Sequence, residues 1–185
     1  MSLILILEDG QGRADANSYA SVEQGDAYHE GHLYGTAWTS ATNTNKEKAL
    51  VMATRLIDAS YFFHGTRVET AQALSWPREC VVNPEQPLSG MSWLGGSQWS
   101  YFPSDEIPEG LVHATCEMAR ELLLSDRTAP PPGEGVSVVR EADLSSITYD
   151  KADTRELITA VAQLFLKRLG VLIVRRFQPL KLQRT

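Results

Sequence analysis

Two pairs of potential metal ligands stand three residues apart in the sequence. His29 and His32 form one pair, and His113 and Cys116 form the other. In a helix, residues three apart lie on one face, and imidazole nitrogen and thiolate sulfur are both zinc ligands. A zinc site needs three or four converging ligands, and no third ligand at a recognisable spacing follows either pair. We therefore expect packed or surface side chains at these positions, and no metal.

Motifs for catalysis are missing from the chain. The sequence has no G-x-S-x-G nucleophile elbow, no Walker A loop and no G-x-G-x-x-G dinucleotide fingerprint. Carboxylates are numerous, but they stand at predicted helix starts and on polar faces, where capping and solubility account for them. We therefore expect neither an enzyme nor a bound cofactor.

A group of aromatic residues offers a different chemistry, which is stacking on unpaired bases. Trp93, Trp99, Tyr101 and Phe102 fall within residues 79–106, a long stretch with several prolines and glycines. Stacking platforms lie in basic grooves, whereas this stretch contains four acidic residues and no Lys or Arg. Because Trp and Tyr are favoured at protein interfaces, we expect these four side chains to contact other subunits or to pack inside the molecule rather than to stack on bases.

The tripeptide Trp76-Pro77-Arg78 is predicted to be a structural anchor. We expect Trp76 to fill the gap between two helices and Pro77 to hold the preceding residue in an extended conformation. Arg78 is interpreted as a surface charge, with an ion pair to an acid of a neighbouring subunit as the alternative. None of the three residues is assigned a chemical role.

Charge is unevenly distributed along the chain. The net charge is −6, but the residues from Lys167 onward include six Lys or Arg and no acid. Residues 1–166 therefore contain the other 11 of the 17 basic residues and all 23 acidic residues. An acidic body repels nucleic acid, while a basic end suits an acidic protein surface or a phosphate backbone. The basic end also contains large apolar residues, such as Val171 and Phe177. We therefore expect it to fold against a partner.

The overall composition limits the class of protein further. A chain of 185 residues can bury one sizeable core. Its longest apolar run, residues 3–7, is far shorter than the roughly 20 residues that span a membrane. The start does not look like a secretory signal, so we expect a protein made and kept in the cytoplasm. Cys80 and Cys116 are interpreted as reduced core residues, with a disulfide between them as the alternative.

Hydrophobic periodicity predicts a mainly α fold: a small helical bundle with a short β hairpin and extended N- and C-terminal segments. Two capping boxes, Ser21-x-x-Gln24 and Thr44-x-x-Glu47, mark helix starts, and Pro108 suits the first position of another helix. The elements predicted before residue 128 are a strand at 3–7, helices at 21–33, 44–61 and 108–125, and a helical turn at 70–74. Val22, Ala27 and Tyr28 are the predicted inner face of the first helix.

The second part of the chain is predicted to be a separate small unit. The Pro- and Gly-rich stretch at 128–135 can hold neither helix nor strand pairing and is interpreted as a linker. Two β-prone runs at 136–141 and 145–149 predict a hairpin. Asp153 is predicted to cap a last helix that stops at Gly170. The chain is therefore divided into a helical body at 1–127, which includes the Trp-rich loop at 79–106, the linker at 128–135, a hairpin and helix at 136–170, and a basic apolar tail at 171–185.

Several short segments occur in an order that is typical of a family of phage proteins. They are Asp15-Ala16-Asn17-Ser18-Tyr19 with Ser21-Val22-Glu23, the helix from Lys46 to Asp58, the run from Gln72 to Arg78, and the run from Ile107 to Leu123. With these segments, the region from Glu8 to Leu166 resembles the head-to-tail connector proteins of tailed phages, also called adaptor or head completion proteins. The same family is also catalogued as DnaT-like single-stranded-DNA-binding proteins.

The resemblance implies a structural virion protein of the phage neck, made in the host cytoplasm. Such subunits form a ring of about twelve copies beneath the portal, carry downstream tail or neck proteins, and let genome DNA pass through the lumen; no membrane is involved. Their C-terminal segments dock on the portal. The portal contacts implied here are Lys167, Arg168, Arg175, Arg176, Phe177 and Lys181. The alternative is a single-stranded-DNA-binding accessory protein that uses the same basic tail.

Overall fold

The structure is a computed structural model that describes residues 3–84, 100–129 and 155–173, together with the backbone of two strands at 136–140 and 146–149. Within these ranges the protein is mainly α, as the periodicity predicts. None of the helices in the described ranges is both long enough and apolar enough to cross a membrane.

The first capping box forms as predicted. Ser21 Oγ accepts a hydrogen bond from the Gln24 backbone, and the Gln24 side chain accepts one from the Ser21 backbone. Helix α1 spans Val22–Glu30 and ends before the predicted Leu33, because Gly31 caps it. Its fully buried residues are Gly25 and His29. Of the predicted inner face, Val22 and Tyr28 are half-buried and Ala27 is exposed.

A short helix that periodicity does not predict, α2 (Thr36–Thr39), packs beside α1. Its Trp38 is fully buried. A Cβ atom placed on Gly25 would lie 2.4 Å from the Trp38 ring. Glycine is therefore required there by the close approach of the two helices.

Two long helices form the centre of the molecule. Helix α3 spans Asn43–Ser60, and its cap is Thr42 rather than the predicted Thr44, since the Thr42 side chain accepts a hydrogen bond from the Asn45 backbone. Helix α4 spans Glu109–Leu124 after Pro108, close to its predicted bounds. The two helices pack against each other. Fully buried residues from both belong to one apolar cluster, among them Leu50, Ala53, Ile57, Leu111, Ala114 and Met118.

The strands pair in three antiparallel two-stranded sheets within the described residues. Strand β1 (Tyr61–Phe63) pairs with β6 (Gly170–Leu172), and β2 (Thr66–Arg67) pairs with β3 (Arg78–Glu79). Strands β4 (Val136–Arg140) and β5 (Ser146–Tyr149) form the hairpin that the sequence predicts.

The predicted strand at 3–7 is wrong. Only a single bridge joins Leu7 to Ser18. Backbone hydrogen bonds join Ile6 and Glu8 to residues 17 and 18. Nearer the start of the segment, the Asn17 side chain accepts from the Ile6 backbone and donates to the Ile4 carbonyl, so a side chain takes the place of further strand pairing. The helical turn predicted at 70–74 is also wrong, because this segment consists of turns and bends.

The end of the chain differs from its prediction in two ways. Helix α5 spans Ala160–Leu166, and its cap is Thr159 rather than Asp153, which lies outside the described residues. Gly170 does not end a helix but begins β6, so Val171 and Leu172 are paired with β1 and are not part of a tail.

The two cysteines are both free thiols. Cys116 is buried, as predicted, and burial raises the pKa of its thiol to about 12. Cys80 is exposed and has a left-handed backbone, with φ of 61°. The interpretation of Cys80 as a core residue is therefore wrong. Most of the predicted linker, at 130–135, and residues 85–99 of the Trp-rich loop lie outside the described residues.

Candidate functional site

Three of the sequence segments that carry the family resemblance meet at one buried hydrogen-bond network. Tyr19 Oη donates to Asp58 Oδ1 over 2.6 Å, and the Ser75 backbone donates to Asp58 Oδ2 over 2.9 Å. The Trp76 backbone donates to Tyr19 Oη over 3.2 Å. The network thus ties the chain before α1 and the loop before β3 to the last turn of α3.

Burial decides the ionisation of this network. It raises the pKa of the Asp58 carboxyl above its ordinary value, although the hydrogen bonds from Tyr19 and Ser75 act in the opposite direction. Burial also raises the pKa of the Tyr19 hydroxyl well above its ordinary value. Tyr19 therefore remains a proton donor, and the network positions the backbone without offering a nucleophile.

Trp76 is fully buried behind this network. Its ring meets Phe63 and Phe102 edge to face, with centroids 6.1 and 6.5 Å apart. The peptide bond between Trp76 and Pro77 is cis. The tryptophan thus packs between β1 and the chain that leads into α4.

Arg78 is not a surface charge. Its guanidinium donates to three backbone carbonyls: those of His64 and Gly65 over 2.6 Å each, and that of Ser75 over 3.1 Å. Gln72 acts in a similar way, donating from its amide to the carbonyls of Leu74 and Pro77. Both side chains fold the loop onto itself because they donate hydrogen bonds to its backbone carbonyl groups.

Sequence reasoning did not single out Glu8, which is only 2 % exposed. Its carboxylate accepts hydrogen bonds from the backbone N–H groups of Gly10, Gly12 and Arg13, at 3.0 to 3.1 Å. Burial raises the pKa of Glu8, while these three hydrogen bonds lower it. An acid followed by two nearby glycines was the signal that a carboxylate-centred loop leaves in the sequence.

A second buried acid, Glu117, joins α1 to α4. It accepts a hydrogen bond from Tyr28 Oη over 2.9 Å, lies 3.3 Å from His32 Nε2, and pairs with Arg120 over 3.1 Å. Glu117 stands among apolar residues of the α4 stripe, and this break in the pattern was its sequence signal. Arg120 lies on α4 itself, whereas Tyr28 is on α1 and His32 follows α1, and only the tertiary structure brings these two against α4.

The four candidate metal ligands are placed near this cluster. His29 is buried, and its Nε2 lies 3.2 Å from the Cys116 carbonyl oxygen, which makes Nε2 the protonated nitrogen. The ring of His113 lies 4.7 Å from that of Tyr28. In the part of the chain that the structure describes, no three His, Cys, Asp or Glu side chains converge as metal ligands would.

The predicted portal contacts are only partly described. Lys167 and Arg168 follow α5 directly and are both exposed, whereas Arg175, Arg176, Phe177 and Lys181 lie outside the described residues. Exposed apolar side chains surround the two basic residues in sequence: Val161, Leu164, Val171 and Ile173 are 46 to 62 % exposed. We call these four residues the C-terminal apolar surface. Large apolar side chains left exposed in one short stretch of chain, next to basic ones, favour a contact with another protein.

The predicted aromatic contacts differ in exposure. Tyr101 is 47 % exposed and forms a bridge with Val82. Phe102 is half-buried against Trp76, so packing inside the molecule uses much of its surface. Trp93 and Trp99 lie outside the described residues.

Two adjoining grooves lie beside the start of α4. The first, of about 700 Å³, has Glu106 and Glu109 on its rim, and we call it the acidic groove. Its apolar lining includes Tyr28, Phe102, Ile107 and Val112. The second, of about 440 Å³, lies between Glu109 and the residues Leu164, Lys167 and Arg168, and we call it the C-terminal groove. No Lys or Arg among the described residues lines the acidic groove.

The chain belongs to the family of DnaT-like proteins. The model of the family described as "Putative DnaT-like ssDNA binding protein" matches residues 3–177, which is nearly the whole chain. No curated protein matches the chain, and no solved structure matches it either.

Proposed function

We propose that the protein is a head-to-tail connector subunit of a tailed phage, which forms a ring beneath the portal and links the capsid to the tail. The observation that carries this proposal is the C-terminal apolar surface beside Lys167 and Arg168, at the end of an acidic body. Apolar side chains of this size are costly to leave in water and indicate a protein partner. The family resemblance supports the portal as that partner.

The surface would act by combining two effects. Val161, Leu164 and Val171 supply apolar area, and the basic residues from Lys167 onward set the orientation against an acidic partner surface. The acidic remainder of the chain suits a ring lumen, because like charge keeps passing DNA from adhering. We place the contacts for neighbouring subunits or tail proteins at Trp93, Trp99 and Tyr101.

The test is co-sedimentation with the cognate portal ring. Ending the chain at Gly170 would remove most of β6, so we prefer the double substitution R175E/R176E in the full chain. The control is K48E/R55E, which changes the net charge by the same amount at two exposed positions of α3. We expect saturable binding of wild type and control at about one subunit per portal subunit, and loss of binding in R175E/R176E. If the wild-type protein does not co-sediment with the portal ring, the proposal loses its main support.

The second candidate function is single-stranded-DNA binding, which the description of the matched family favours. The basic end of the chain would then hold the phosphate backbone. Among the described residues, Tyr101 is an exposed aromatic but lies in an acidic stretch, so we expect electrostatic contacts rather than base stacking to dominate.

Binding of a fluorescent oligo-dT as a function of salt tests this candidate. Each phosphate contact contributes about −0.7 to the slope of log K against log salt, so R175E/R176E should reduce the slope by about 1.4. K48E/R55E should leave the slope as in wild type. Absence of binding at low salt would exclude the candidate.

A further inference from the structure

The face of the molecule at the start of α4 carries charges of both signs. The acidic groove has Glu106 and Glu109 on its rim, and the Glu109 side chain is 85 % exposed. The far wall of the C-terminal groove is formed by Leu164, Lys167 and Arg168, which we call the basic ridge. Leu164 is 62 % exposed, and Lys167 is exposed as well. One face therefore presents an acidic groove beside a basic ridge.

Two of these charges are not used within the monomer. Among the described residues, Glu106 forms no ion pair with a Lys or Arg, and Lys167 forms none with an acid. Glu109 lies 3.6 Å from His113, which attracts it only when the imidazole is protonated. Opposite charges on this face can therefore pair across an interface, where they fix the orientation of the partner.

Apolar side chains accompany the charges, which favours a protein as the partner. The acidic groove, of about 700 Å³, has Phe102, Ile107 and Val112 in its lining. A bound ion would leave this apolar area in water. A surface that covers it must combine apolar and basic groups. The basic ridge, with Leu164 beside Lys167, has this combination.

We propose that two copies of the chain pair through this face, so that the basic ridge of each copy enters the acidic groove of the other. Lys167 of each copy then lies against Glu106 on the rim of the other copy's groove. Leu164 of each copy covers part of the apolar lining. The second copy thus supplies both the charge and the apolar area that the groove requires.

The position of the two patches determines the symmetry of the pair. The acidic groove and the C-terminal groove share Phe102, Pro108 and Glu109, so the groove and the ridge lie side by side. A two-fold axis beside the shared residues exchanges the two patches, and every favourable contact then forms twice. A head-to-tail ring needs complementary patches on faces that point in different directions. This pairing is therefore a closed dimer and is distinct from the ring contact.

The dimer rests on the proposed function only for its biological meaning. Lys167 and Arg168 are among the residues that we assign to the portal, and the dimer covers them. Free subunits would therefore keep this basic surface hidden, and a subunit would leave its partner copy when it docks on the portal.

Sedimentation equilibrium of the full chain over a range of concentrations, without portal or DNA, tests the dimer. The variants are K167E and E106K, each of which reverses one charge of the proposed pair. The matched controls are K48E on α3 and E30K at the end of α1, two exposed positions that line neither groove. Each control changes the net charge by the same amount as its variant. A reducing agent keeps the exposed Cys80 from linking copies.

We expect wild type and both controls to form a dimer with a Kd of about 10–100 μM, as suits a small interface. K167E and E106K should each raise the Kd about tenfold or more, because like charges meet at both contacts. An equimolar mixture of K167E and E106K should associate as tightly as wild type, since both contacts between unlike copies again join opposite charges. The double variant E106K/K167E should do the same on its own.

Four results would overturn the dimer. They are wild type that stays monomeric up to about 1 mM, K167E and E106K that associate like their controls, a mixture no tighter than either variant alone, and association of wild type beyond two copies. The last result would indicate a head-to-tail contact. Circular dichroism checks the fold of each variant, and K167Q or E106Q replaces a variant that does not fold. Because the portal test uses R175E/R176E, the dimer and the proposed function can fail separately.

Discussion

Tyr19 shows how a polar residue in a segment that carries the family resemblance can serve position rather than chemistry. Its hydroxyl donates to Asp58 and accepts from the Trp76 backbone, so three parts of the chain depend on one oxygen atom. Buried polar groups of this kind contribute little when paired and cost much when one partner is lost.

We expect Y19F to lower the free energy of unfolding by about 1–3 kcal/mol, because the Trp76 N–H and one Asp58 oxygen lose their partner. Urea unfolding measures the change. Y34F, at a tyrosine that is 73 % exposed, should stay within about 0.5 kcal/mol of wild type. Equal stability of Y19F and wild type would mean that water replaces the hydroxyl at no cost.

His29 is the residue at which stability should depend on pH. Burial lowers the pKa of its imidazole, so below the ordinary value of about 6.5 the unfolded chain binds a proton that the folded chain does not. The stabilising contribution of neutral His29 is complete above that value and is lost as the pH falls toward the folded pKa. Its Nδ1 is buried without a hydrogen-bond partner among the described residues, and protonation there would place a charge beside Trp38.

Replacing His29 by glutamine should flatten the pH profile of stability. H29Q keeps a donor for the Cys116 carbonyl but cannot titrate. Between pH 7 and pH 5 its free energy of unfolding should therefore fall less than that of wild type. The difference between the two slopes should be at most about 1.4 kcal/mol per pH unit. Urea unfolding at several pH values gives both profiles. H64Q, at an exposed histidine, should keep the slope of wild type; parallel profiles for wild type and H29Q would exclude the assignment.

At the scale of elements, the contact between α1 and α2 depends on the absence of a side chain. Gly25 lies against the buried ring of Trp38. A methyl group placed on Gly31, at the end of α1, would instead meet no atom of the described residues closer than a carbonyl oxygen 4.0 Å away. Alanine substitutions at the two positions therefore distinguish the cost of overpacking, at Gly25, from the effect of helix propensity.

We expect G25A to lower the free energy of unfolding by about 1–3 kcal/mol through overpacking, although alanine favours the helix. G31A should change it by less than about 0.5 kcal/mol. Urea unfolding followed by tryptophan fluorescence measures both variants. A stabilised G25A would mean that α2 moves away from α1 without loss.

At the scale of the whole molecule, the apolar core extends across the predicted domain boundary. Ile158, Ala162, Leu166 and Leu169 belong to the same buried cluster as residues of α3 and α4. The sequence places these residues in a separate unit at 136–170. A continuous core favours cooperative unfolding of the two parts.

Leu166 is fully buried in this cluster, so we expect L166A to lower the free energy of unfolding of the whole molecule by about 2–5 kcal/mol. Tryptophan fluorescence and far-ultraviolet circular dichroism should give coincident transitions. V161A, on the exposed side of α5, should have a small effect. If the circular dichroism signal of helix is lost before the tryptophan fluorescence changes, the region 136–170 unfolds as a unit of its own.

The sequence by itself determined the mainly α class, the Ser21 capping box, the bounds of α4 and the hairpin at 136–149. These features depend on local signals: a cap within three residues, a repeat of apolar residues along one face, or two β-prone runs close together. It also placed Asp58, Tyr19 and Trp76 in the segments that carry the family resemblance, but it assigned no contact between them.

Only the tertiary structure decided the pairing of β1 with β6, the clamp formed by Arg78, and the buried position of Glu117. Each depends on groups that are far apart in the chain, or on a polar side chain that finds its partners only after folding. The pairing of Phe62 with Val171 joins residues 109 positions apart, and no local pattern encodes such a partner. Local preferences therefore determine which helices form, whereas long-range packing decides which polar groups can be buried and which surface is left for a partner.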